Sequence, residues 1–77
     1  MRIYVVIIRT TDVTDTFEDI QDFAYGEFSL LEDIELLGQC GNRYRIRLTT
    51  KDNFNYNTFE DVMDNAGYDT EFIEAYK

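Results

Sequence analysis

"TFEDIQDFA" covers residues 16–24 and "TFEDVMDNA" covers residues 58–66, so one short chain writes nearly the same nine letters twice. Six positions are identical, and a seventh exchanges Ile20 for Val62. In both copies the apolar residues fall at helical spacing: Phe17, Ile20, Phe23 and Ala24, then Phe59, Val62, Met63 and Ala66. Thr16 and Thr58 are placed to cap the third helical amide, while Glu and Asp in the first turn suit the positive end of the helix dipole. Gly26 and Gly67 are the expected stops.

Strand signals surround each copy. "IYVVII" (Ile3 to Ile8) is a continuous β-branched run, as expected of a central strand buried on both faces. "TTDVTD" follows as a loop. "IELLGQ" (Ile34 to Gln39) and "RYRIRLTT" (Arg43 to Thr50) flank "CGN", which has the composition of a hairpin turn. "TEFIEAY" (Thr70 to Tyr76) reads as a last short strand, although Glu and Ala there also permit a helical turn. "IIRTT" leads toward the first TFED and "IRLTT" toward the second. The order β-α-β-β-α-β in two similar halves predicts an α+β chain with the ferredoxin-like split β-α-β fold. Four antiparallel strands, with the first and third central, would carry both helices on one face.

The hairpin sets which side chains share a face. A three-residue loop of Cys40, Gly41 and Asn42 would place Glu35 opposite Arg47, Leu37 opposite Arg45 and Gln39 opposite Arg43. Ile34, Leu36, Tyr44, Ile46 and Leu48 would then line the core. A two-residue Gly41-Asn42 turn would put Glu35 opposite Leu48, toward the helices, so the longer loop is expected. The open face of the sheet should carry Arg43, Arg45 and Arg47 beside an uncovered apolar row of the first strand, with Tyr4 as a further candidate contact.

Length and composition bound the rest. Seventy-seven residues make a single domain, 1–77, with a small core that six Phe and six Tyr can fill. The chain has no histidine and one cysteine, Cys40. That excludes a disulfide framework and a four-ligand zinc or iron–sulfur site, and it suits a reducing cytoplasm. Asn53, Asn55 and Asn57 alternate ahead of Asp64, but a calcium loop wants an acid first, a glycine sixth and a bidentate Glu last. No metal or cofactor is expected. Arg2 and the apolar run after it fall short of a signal peptide, and no run is long enough for a membrane helix. The segment after the first strand lacks the glycine-rich anion loop of acylphosphatase-like phosphate sites. Base-stacking aromatics are expected on the third strand of an RNA-binding sheet, where this chain has arginines.

Charge is the strongest compositional signal. Sixteen acidic residues face seven basic ones, for a net charge of −9. Helical spacing puts Glu18, Asp19 and Asp22 on one outer helix face and Glu60, Asp61 and Asp64 on the other, neighbours standing about 5–6 Å apart. Exposed carboxylates outside a cleft have nothing to raise a pKa or hold a substrate, which argues against an enzyme. A surface of this sign repels nucleic acid and membranes and attracts basic partners. The sequence therefore points to a binding protein whose acidic face mimics a phosphate backbone toward a basic, nucleic-acid-handling protein. By size and charge it is comparable to phage and mobile-element inhibitors of defence or transcription machinery. The alternative is a regulatory or assembly domain that homodimerises through its open sheet face.

Overall fold

The computed structural model describes residues 1–12 and 14–76; Val13, in the expected loop after the first strand, and Lys77 lie outside the described residues. The elements run β1 (Arg2–Thr10), α1 (Phe17–Glu27), β2 (Leu31–Cys40), β3 (Arg43–Thr50), α2 (Tyr56–Asn65) and β4 (Tyr68–Tyr76). They form an α+β structure with one open antiparallel sheet in the order β2-β3-β1-β4. The first and third strands are central, as the internal repeat implied.

One face of β1 decides where the core sits. Tyr4, Val6 and Ile8 join Tyr44, Ile46 and Leu48 of β3 beneath Ile20 and Ala24 of α1 and Phe59 and Met63 of α2. Both helices thus cover the same side of the sheet. The aromatic residues fill most of the space between. Phe59 is wholly buried, with its ring 4.9 Å from Phe28, 5.7 Å from Phe54 and 5.8 Å from Tyr56. Tyr4 stacks on Tyr56 at 5.2 Å. Tyr4 therefore belongs to the core, not to the open face where the sequence reading placed it. A continuous apolar run carries no alternation from which its inward side can be read.

The hairpin corrects a second expectation. The turn has two residues, Gly41 and Asn42, with Cys40 opposite Arg43, Gln39 opposite Tyr44 and Gly38 opposite Arg45. Gly41 has a φ of 61°, as the first central position of a II′ turn requires. This turn should have swung Glu35 toward the helices. A bulge at Leu37 prevents it: Leu36 pairs with Ile46 and Glu35 with Arg47, the pairing that the longer loop was invoked to give. Leu37 is the extra residue and is exposed. Asn42 also ties the hairpin to β1, since its amide donates to the Thr10 carbonyl at 2.7 Å and its carbonyl accepts from the Thr10 N–H at 3.0 Å.

The helix ends depart from the repeat as well. Thr16 caps α1 as expected, in a capping box with Asp19, whose carboxylate accepts from the Thr16 N–H at 2.8 Å. In α2 the cap is Asn55, whose side chain accepts from the Thr58 N–H at 3.2 Å. Thr58 is the third residue of that helix and caps nothing. The helix starts a turn early because Asn55 offers a cap and Tyr56 gains burial against Tyr4. The alternating asparagines thus belong to a helix start. Helix α1 runs past Gly26 to Glu27 and is capped by Phe28. Gly67, with φ of 91°, does end α2, and Thr11 donates to its carbonyl at 3.2 Å. The last segment is a strand from Tyr68 onward.

Candidate functional site

Two charged surfaces lie on opposite sides of the sheet. On the helix side, Glu18, Asp19 and Asp22 of α1 and Asp61 and Asp64 of α2 are exposed, while Glu60 is half-buried beside Tyr56. Helix α1 packs toward β2 and α2 toward β4, so these carboxylates form two rows over the two halves of the sheet. Neither helix contains a lysine or arginine. Asp19 is partly committed to its capping box. The carboxylates of Asp22, Asp61 and Asp64 make no hydrogen bond or ion pair among the described residues.

The acid continues into the turn before α1. The Asp12 carboxylate accepts from the Thr14 N–H at 2.9 Å and from its hydroxyl at 2.8 Å, and these bonds hold its pKa below the ordinary value. Asp15 is shifted the other way, first by desolvation and then by the charges of Asp12 and Asp19. Burial raises the Tyr68 hydroxyl, and the same three aspartates add to the rise. Burial pushes up Tyr56 too, with Glu60 contributing through its charge. Tyr44 anchors this turn by donating its hydroxyl to the Asp15 carbonyl at 3.0 Å. In the three upward shifts burial leads and the nearby carboxylates add to it.

The open side of the sheet has a different character. Cross-strand register sets three rows: Glu35, Arg47, Val5 and Glu74; then Gly38, Arg45, Ile7 and Glu71; then Cys40, Arg43, Arg9 and Asp69. Arg43, Arg45 and Arg47 do share this face, as expected. The apolar row beside them is less open than expected: Val5 is only 3% exposed, and Ile3 and Ile7 are half-buried. Arginine stems can lie along such a row while their heads reach water. Tyr76 reaches close enough to Arg47 to add to the upward shift of its guanidinium, of which Glu35 is the main cause. Arg47 is ion-paired to Glu35, and Arg9 to Asp69 at 2.6 Å.

Asp69, Glu71 and Glu74 were not anticipated on this face. A bulge at Ile73 interrupts the alternation of β4, so parity read from the chain alone goes astray there. The spacing Asp69-x-Glu71 was the available signal. Among the described residues no group of three His, Cys, Asp or Glu side chains is placed to hold a metal ion, and no described helix is long and apolar enough to cross a membrane. Compared with protein families, curated proteins and solved structures, the chain finds no match.

Proposed function

We propose that this is a small, non-enzymatic binding protein of the ferredoxin-like split β-α-β class, which presents its acidic helix face to a basic, nucleic-acid-handling protein. The face acts as a mimic of the phosphate backbone. The observation that carries the reading is the segregation of charge. Seven carboxylates sit on two helices that hold no base, six of them in the outer rows, while Arg9, Arg43, Arg45 and Arg47 are withdrawn to the far side of the sheet. Like charges three and four residues apart destabilise a helix by about 0.2–0.5 kcal/mol per pair. Glu18–Asp22, Asp19–Asp22, Glu60–Asp64 and Asp61–Asp64 all have that spacing. Apart from Asp19, which closes the α1 capping box, these residues add no pairing that offsets the repulsion within the chain; a basic partner would supply it. Mimicry of this kind would block restriction, CRISPR or transcription machinery in the cytoplasm, and the same surface repels nucleic acid and anionic lipid.

The test uses immobilised protein and a triple variant, Asp22→Asn, Asp61→Asn and Asp64→Asn. None of the three caps a helix or pairs with a neighbour, so folding should be unharmed. Wild type should retain basic nucleic-acid-binding proteins from a cell lysate at low salt. They should be released as ionic strength shortens the Debye length below about 8 Å, and displaced by duplex DNA. The triple variant should bind the captured protein at least several-fold more weakly. If it captures the same proteins with the same salt profile, the acid serves solubility and the proposal fails.

A further inference from the structure

The open sheet face differs from the rest of the surface in one respect. The chain carries −9 overall, yet on this face Arg9, Arg43, Arg45 and Arg47 are matched by Glu35, Asp69, Glu71 and Glu74. Three of the arginines follow β3 and three of the carboxylates follow β4, with Ile3, Val5 and Ile7 of β1 between them; Arg9 on β1 and Glu35 on β2 are tied within the chain to Asp69 and Arg47. Among the described residues, Arg43, Arg45, Glu71 and Glu74 have no ion-pair partner within the chain. A nearly neutral, striped, partly apolar face on a strongly acidic protein is a place where a second copy meets little net repulsion.

We infer that two copies of this chain pack sheet to sheet through this face, about a two-fold axis running parallel to β1. The stripe order selects that axis. A two-fold along the strands lays β1 on β1 and exchanges the flanking strands, so β3 of each copy faces β4 of the other. Rows are preserved by the rotation. Arg45 then meets Glu71 of the second copy and Arg47 meets its Glu74, each contact occurring twice as in any isologous interface. Val5 and Ile7 meet their own counterparts on the axis. The chosen axis sets only Arg9 against its own counterpart, each held by Asp69 of its own chain, whereas a two-fold across the strands would set the β3 arginines on one another and the β4 carboxylates on one another. Sheets packed face to face stand about 10 Å apart with their strands nearly aligned, a gap that an Arg–Glu pair spans.

Size sets the strength. The rotation overlaps β3, β1 and β4 and leaves β2 outside, so three strands about 4.8 Å apart, with about seven residues each at about 3.3 Å, give a shared face of roughly 14 by 23 Å. Two such faces cover about 650 Å2 in projection, which belongs to the weak, concentration-dependent class of interfaces. The inference is independent of the helix face, which this packing leaves outward on both sides of the dimer.

Sedimentation equilibrium from about 1 μM to 1 mM at low salt tests it, that range covering weak to moderate association. Wild type should show a monomer–dimer equilibrium. Arg45→Glu and Glu71→Arg, each at an exposed position, should separately weaken it at least ~10-fold, because each plants two like-charge contacts in the interface. The double variant, Arg45→Glu with Glu71→Arg, restores both contacts with reversed sign and should dimerise as wild type does. It should also fail to mix with wild type. The far-ultraviolet circular dichroism of all four proteins separates loss of association from loss of folding. A wild type that stays monomeric throughout overturns the inference, as does a double variant no better than the singles. A monomer here leaves the helix-face proposal untouched.

Discussion

The same substitution made at the same place in each repeat should have opposite consequences. Thr16→Ala removes a side chain that accepts from the Asp19 N–H and is held by the Asp19 carboxylate at 3.1 Å. Loss of such a cap costs about 1 kcal/mol, within a range of roughly 0.5–2. Thr58→Ala removes a hydroxyl that makes no hydrogen bond among the described residues, at an exposed third position of α2. Alanine is the better helix former there, by at most ~0.7 kcal/mol. The cap of α2 is Asn55, so Asn55→Ala should behave as Thr16→Ala does. In a domain of this size 1 kcal/mol moves Tm by about 4–8 °C. Thermal melts at pH 7 should therefore show Thr16→Ala and Asn55→Ala several degrees below wild type and Thr58→Ala at or slightly above it. Equal losses for both threonines would show that the second helix starts at the repeat, and the reasoning from Asn55 would be refuted.

Three further outcomes are expected. Deleting Leu37 should leave the protein folded, because the bulge residue stands outside the ladder and its removal keeps Glu35 opposite Arg47; an unfolded product by circular dichroism would contradict the register. Asp15 has its folded pKa raised, so its protonated form favours folding, and that contribution disappears as pH rises through the folded value. Asp15→Asn should accordingly raise Tm at pH 7, with the gain shrinking below about pH 4, and a gain that grew on acidification would reverse the sign of the argument. Phe59→Ala should cost about 3–5 kcal/mol at a wholly buried site, against a total of roughly 4–12 for a chain of this length. Urea titration should show a midpoint far below that of wild type, and a loss under about 1 kcal/mol would mean that Phe59 is not central to the core.

Local periodicity determined much of this protein before any tertiary contact was considered. The repeated helical stripe, the strict alternation of "RYRIRLTT" and the Gly-containing breaks specified six elements in their order, and from the order came the sheet with β1 and β3 at its centre. These signals survive because each is complete within about ten residues. The sequence also displayed the acidic helix rows, since spacing along a helix is enough to place them.

Other features were settled by partners far along the chain. Tyr4 faces inward because Tyr56 and Phe54 fill the space above it, and a run as uniformly apolar as "IYVVII" holds no clue to its own inward side. Helix α2 begins at Tyr56 because that ring finds Tyr4 and Phe72, overriding the boundary that the repeat suggested. The bulges at Leu37 and Ile73 reconcile tight turns and strand ends with a single buried face, and each shifts parity by one residue. The shift at Ile73 puts Glu71 and Glu74, three residues apart, on the one face that also carries the arginines. A one-residue change of register has almost no local signature, but it carries every following side chain from one surface of the sheet to the other, and only the closed packing of all four strands decides it.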